Sequence, residues 1–160
     1  LCATAPESKD NDFTWKDFQT RNNSELVGIY GNFINRVLVL TNKYYDGCVP
    51  PRGEMTDDDR QVISELKLFP FKIAKSIEAY RYREALMEGM NLARLGNKYL
   101  ADEEPWKLVK TDEVRTKTIM NIALQIAANL SVVSEPFMPF SAHKLAGMLG
   151  LNQLMERRRI

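Results

Sequence analysis

Residues 26–44 read LVGIYGNFINRVLVLTNKY, and within them Leu26, Tyr30, Phe33, Val37, Leu40 and Tyr44 recur at spacings of four and three. That period places all six on one side of an α-helix, whereas a half-buried strand would alternate at every second residue. The stretch therefore points to an all-α fold. Upstream, Thr14 followed three residues later by Asp17 has the form of a capping box, and downstream Asp46-Gly47 is a glycine stop. The helix is expected to run from Trp15 to that pair. Gly28 and Gly31 interrupt the stripe and predict the close approach of another element.

The same grammar recurs along the chain. After a loop holding Pro50, Pro51 and Gly53, Thr56 with Asp59 opens a second helix, expected to reach Leu68 before Pro70 kinks or breaks it. Tyr82, Leu86, Met90, Ala93 and Leu100 keep one face of a helix expected over residues 73–100 and closed by Pro105. Thr111, with Asp112 and Glu113 in the first turn, opens another, striped by Ile119, Ile122, Ile126, Leu130 and Val133 up to Pro136. A last helix is expected from near Ser141 to Gly150. The pattern predicts an antiparallel bundle of about five helices joined by short loops. Residues 14–160 would form this domain, and residues 1–13 a joining segment.

Composition bounds the function. The chain has 160 residues, 44% apolar and 27% charged, which suits one soluble domain with a proper core. No apolar run approaches the roughly 20 residues of a membrane span, and LCATAPESKD at residues 1–10 lacks the basic start and apolar core of a secretion signal. A cytoplasmic protein without a membrane partner is expected. The first residue, Leu1, and the tail MERRRI at 155–160 read as the ends of a piece cut from a longer protein.

Twenty-two basic against twenty-one acidic residues leave a net charge of +1, so no global field draws the chain to a polyanion. Any nucleic-acid contact must be local. Cys2 and Cys48 stand far apart, as reduced thiols would, and with His143 they fall short of a four-ligand zinc site. No metal is expected, and His143 reads as a helix residue without a role. Neither a glycine-rich phosphate loop nor a nucleophile elbow is present, and no catalytic residue is assigned. The acidic runs Asp57, Asp58, Asp59 and Asp102, Glu103, Glu104 fall at helix ends. The first complements a helix dipole, and the second reads as a solvated edge.

Two features offer recognition chemistry. Asn32 and Arg36, four residues apart, project from one helix face, and Gly28 one turn earlier leaves that face shallow. An amide beside a fork of donors can read the edge of an unpaired base, although the same spacing also describes a solvated polar stripe. In ADEEPWKLVK, residues 101–110, Trp106 directly follows Pro105 at a helix break. There its ring can cap the core or be presented for stacking.

Three stretches in this order carry a resemblance: DFQTRNNSELVGIYGNFINRVLVLTNKYYDG at 17–47, NKYLADEEPWKLVK at 97–110 and SEPFMPFSAHKLAGMLGL at 134–151. Together they resemble the C-terminal anticodon-binding helical domain of the methionyl-tRNA synthetase family, class I aminoacyl-tRNA synthetases. LCATAPESKDNDFTW also resembles the segment that leaves the catalytic domain of that family. The resemblance implies that Asn32, Arg36 and Trp106 contact the CAU anticodon of methionine tRNA, with Pro105, Gly28 and Asn97 in support. It implies two partners, that tRNA and the catalytic domain of the same parent chain. The parent enzyme would use ATP and Mg, with zinc in some members, to attach methionine to the tRNA. The HIGH and KMSKS motifs are absent from these 160 residues, so the chain alone should not aminoacylate. Other class I anticodon domains, for valine, isoleucine, leucine or cysteine, share such helices. A helical protein-interaction scaffold is the alternative of another class.

Overall fold

The stripe of residues 26–44 lies in an unbroken helical run that starts at Trp15 and ends at Tyr45 in the computed structural model, which describes residues 2–4 and 12–151. Its first part is α1 (Trp15–Arg21), its middle a π-helical coil (Asn22–Gly31) and its last part α2 (Asn32–Tyr45). Tyr30, Phe33, Val37 and Thr41 form the buried line. Thr14 Oγ1 accepts from the Asp17 amide at 3.1 Å, but the Asp17 carboxylate turns to Arg21 at 2.8 Å, so the capping box is only half made. Asp46 and Gly47, both left-handed, stop the run.

The expectation for Gly28 and Gly31 is corrected. No other element approaches them: an added Cβ would meet only the Asn23 and Leu26 carbonyls of their own coil, at 3.3 and 3.1 Å. The close approach occurs instead at Gly96, where a Cβ would stand 2.4 Å from Phe33 Cε2. Gly96→Ala is expected to destabilise the chain by about 1 to 3 kcal/mol, because Phe33 is fully enclosed and has no room to move. Gly89→Ala, where an added Cβ meets nothing within 4 Å, should instead gain up to about 1 kcal/mol of helix propensity. Urea unfolding of both variants checks the opposite signs.

The capping box Thr56–Asp59 forms in full and starts α3 (Asp57–Glu78). This helix passes through Pro70, contrary to the expected break. Leu66, Phe69, Ile73 and Ser76 continue one buried face across the proline, and their packing offsets the lost backbone bond. The chain breaks ten residues later, where Tyr80 is left-handed at φ 59°. The Tyr80 and Arg81 amides donate to the Ile77 and Ser76 carbonyls at 2.9 and 2.8 Å, a closure usually built on glycine. The next helix therefore starts later than expected, as α4 (Tyr82–Glu103).

Glu104 is left-handed at φ 43°, and Pro105 opens the one-turn α5 (Pro105–Leu108). Asp112, rather than Thr111, caps α6 (Glu113–Val133), its carboxylate accepting from the Arg115 amide at 2.9 Å. Ile119, Ile122, Ile126 and Leu130 are fully buried, as are Thr116, Met120 and Ser131 on other sides. This helix is the centre of the bundle, touched by α2, α3, α4, α5 and α7 (Pro139–Met148). With the 15–45 run taken as one, the described residues form five helices, the single turn α5 and a 3-10 turn at Cys2–Thr4, and there is no strand among them. No helix among them is long and apolar enough to cross a membrane.

Candidate nucleic-acid interface

Asn32 is the first residue of α2, where the π-helical coil returns to α geometry. Its Nδ2 donates to Asn97 Oδ1 of α4 at 3.0 Å. Asn97 is committed on its other side, with Nδ2 donating to the Ile29 carbonyl at 2.9 Å and the Ala93 carbonyl at 3.2 Å. Both donors of Asn97 are thus spent on backbone, and its oxygen must accept. That fixes the Asn32 amide with Nδ2 inward and Oδ1 as a bare acceptor on an exposed residue. Gly96 makes the juxtaposition possible by letting α4 settle on Phe33, the neighbour of Asn32.

One turn along α2, the Arg36 guanidinium lies over the Trp106 ring, with Cζ 4.9 Å from the ring centroid. Both residues are half-buried, and Arg36 has no carboxylate partner among the described residues. A cation over an indole face is held by the ring quadrupole, by about 0.5 to 2 kcal/mol according to its desolvation. Trp106 is aimed by the corner before it: left-handed Glu104 reverses the chain, Pro105 is buried, and Lys107 pairs back to Glu104 at 2.7 Å. The structure therefore brings Asn32, Arg36, Asn97 and Trp106 onto one face. Gly28 lies on the exposed coil one turn before Asn32.

A polar hub supports this corner, and the sequence did not announce it. Asp59 lies in the first turn of α3 with Asp57 and Asp58, but it alone of the three is fully buried. It accepts from the Thr56 amide at 3.0 Å, from the Tyr99 hydroxyl at 2.6 Å and from both arms of the Arg115 guanidinium. Arg115 also pairs with Glu103 at 2.7 Å, which corrects the reading of Glu103 as a solvated edge. Burial pushes the Asp59 carboxyl up, but the Arg115 fork, the Tyr99 hydroxyl and the Thr56 amide together hold it below the usual carboxylate range. Burial, and then the bond to Asp59, raises the Tyr99 hydroxyl. Tyr99 and Glu103 sit in the last turns of α4, so the hub ties the Trp106 corner to the starts of α3 and α6.

The remaining candidates are dispersed. Cys48 is exposed and free. His143 Nδ1 lies 2.8 Å from the Pro139 carbonyl, and Nε2 lies 3.4 Å from Glu135. No three His, Cys, Asp or Glu side chains converge to hold a metal ion among the described residues. The Cys2 side chain and the tail at 155–160 lie outside them.

Residues 49–157 match the family model described as the anticodon binding domain of methionyl tRNA ligase. The chain belongs to that family. Residues 1–38 match a second model, tRNA synthetases class I (M), so Asn32 and Arg36 fall in one match, and Asn97 and Trp106 in the other. Similar curated proteins are methionine–tRNA ligases, from Christiangramia forsetii at 69% identity over 93% of this chain and from Flavobacterium johnsoniae at 64% over 98%. The chain spans 22% of the length of each. Among solved structures, a Mycobacterium tuberculosis methionyl-tRNA synthetase in complex with methionyl-adenylate superposes with a TM-score of 0.82 at 26% identity. That likeness covers 86% of this chain and 28% of the other. The all-α bundle around α6 is thus the architecture of this anticodon-binding family, as the three quoted stretches implied.

Proposed function

We infer that this chain reads the CAU anticodon of methionine tRNA on behalf of a longer, cytoplasmic methionine–tRNA ligase. Residues 14–160 form the reading domain, and residues 1–13 join it to the rest. The ATP- and Mg-dependent attachment of methionine belongs to that remainder, and this chain supplies recognition. The observation that carries the reading is the fixed acceptor of Asn32 beside the donors of Arg36 and the ring of Trp106.

An unpaired cytosine presents an amino donor next to ring-nitrogen and carbonyl acceptors on its Watson–Crick edge. Asn32 Oδ1 suits the amino group, the Arg36 fork suits the acceptors, and Trp106 gives a face to stack on. Arg36 occupies the ring in the free chain. A base that stacks there takes over part of that contact and releases the guanidinium towards the base edge. Discrimination then comes from leaving Asn32 or Arg36 unpaired against a wrong base.

The test is charging by the full-length ligase, at one fixed salt concentration, of methionine tRNA and of variants changed only at the first anticodon base. A lost two-point base contact should lower kcat/KM by about 1 to 3 kcal/mol, roughly 5- to 150-fold. Equal charging of both would sink the reading.

A further inference from the structure

An exposed primary amide turns about its last torsion and offers either its oxygen or its nitrogen. Asn32 has lost that freedom, because Asn97 Oδ1 holds its Nδ2 at 3.0 Å. Asn97 is half-buried and cannot turn either. Its Nδ2 donates to the carbonyls of Ile29, in the π-helical coil, and of Ala93, one turn earlier in α4, and a carbonyl only accepts. Exchanging the oxygen and nitrogen of Asn97 would set Oδ1 against both carbonyls and Nδ2 against Nδ2 of Asn32, so all three bonds would be lost together. The backbone of two elements thus dictates, through one side chain, which atom Asn32 shows to the outside.

A fixed acceptor imposes a rule of selection. Where cytosine and adenine carry an exocyclic amino donor, uracil and guanine carry a carbonyl acceptor. Against Asn32 Oδ1 an amino group is paired, whereas a carbonyl puts two acceptors face to face. A free amide would escape that conflict by turning over and donating with Nδ2. Uracil also has the ring shape of cytosine, so stacking on Trp106 does not separate the two, and the burden falls on edge contacts.

We propose that Asn97 is a specificity-determining positioning residue: by locking the Asn32 amide it makes the site refuse a first anticodon base with a carbonyl in place of the cytosine amino group, uracil above all. This rests on the reading of Asn32 as a contact to that base. Asn97 acts through Asn32, and its two roles are carried by different atoms. The donors of Nδ2 tie α4 to the coil, and the acceptor Oδ1 is the lock. The Arg36 fork adds to the rejection of uracil, whose ring nitrogen carries a hydrogen where that of cytosine accepts, so loss of the lock narrows the discrimination without abolishing it.

The test compares kcat/KM for charging of methionine tRNA with cytosine, uracil or adenine as first anticodon base, by the full-length ligase and its Asn97→Ala and Asn97→Asp variants. Ratios between tRNAs within one enzyme preparation cancel the active fraction, so a loss of stability does not obscure them. Asn97→Ala frees the Asn32 amide, and the preference for cytosine over uracil should fall about 3- to 10-fold, the worth of one hydrogen bond. The preference for cytosine over adenine should stay as in the parent, because both bases offer an amino group. Asn97→Asp loses both donors but keeps an acceptor for Asn32 Nδ2, and should retain the preference over uracil. A cytosine-to-uracil ratio untouched by Asn97→Ala, or lowered equally by Asn97→Asp, overturns the lock, since Asn97 then only ties α4 to the coil. A parent ligase that charges all three tRNAs alike would instead overturn the anticodon reading itself.

Discussion

Asp59→Asn is expected to cost about 3 to 5 kcal/mol of stability, the usual loss when one partner of a buried ion pair is removed. The amide would turn a donor towards the Arg115 fork or the Tyr99 hydroxyl, both of which now donate to Asp59. Arg115 would then be a mostly enclosed cation facing Glu103 alone. For a chain of this size the melting temperature should fall by about 6 to 20 °C. Asp58→Asn is the control, since Asp58 is exposed and contributes only to the helix start, about 0.3 to 1 kcal/mol.

The same site sets an acid dependence. The Asp59 carboxyl loses its proton at lower pH in the folded chain than in the unfolded one. Its contribution is therefore complete above the ordinary carboxylate pKa of about 3.9 and is lost as pH falls through the depressed folded value. Asp59→Asn should flatten the low-pH side of the stability profile. A mutant that melts near wild type, with an unaltered acid limb, would show that the hub contributes little.

Trp106→Ala in the full-length ligase should leave methionine activation intact and lower charging by about 1 to 3 kcal/mol, the value of one stacked base. The ring is half-buried, so the melting temperature has to stay near wild type for the result to speak of recognition. Arg36→Ala should act in the same direction and also narrow the gap between CAU and first-base-altered anticodons. Arg36→Lys separates charge from geometry: it keeps the cation but loses the planar fork, and the gap should narrow with it. Unchanged rates and unchanged discrimination in stable variants would return Trp106 and Arg36 to a packing role.

Much of the fold was legible because helix signals are local. The 26–44 stripe, the full capping box at Thr56 and the glycine at 150 each act within one or two turns, and each lies where expected. Pro70 misled because its cost is local, whereas the buried line from Leu66 to Ser76 that outweighs it depends on α4. Tyr80 gave no sign of a stop, since a tyrosine is not the usual residue for a left-handed cap. Asp59 was hidden in a run of three aspartates, of which burial selects one.

The sequence by itself determined the helical class and placed Asn32 and Arg36 on one face, because a period of 3.6 residues relates side chains through a single backbone. It also set Trp106 at a corner, because proline cannot continue the preceding helix. Only the tertiary structure decided that Arg36 would lie over Trp106 and that Asn97, 65 residues from Asn32, would turn the Asn32 amide so that the Asn32 oxygen is left bare. Those contacts depend on how closely α4 meets α2, which is set by the missing Cβ of Gly96 against Phe33 and by a buried carboxylate holding the far end of α4. Packing distances of that kind arise between helices, and no pattern within one helix encodes them.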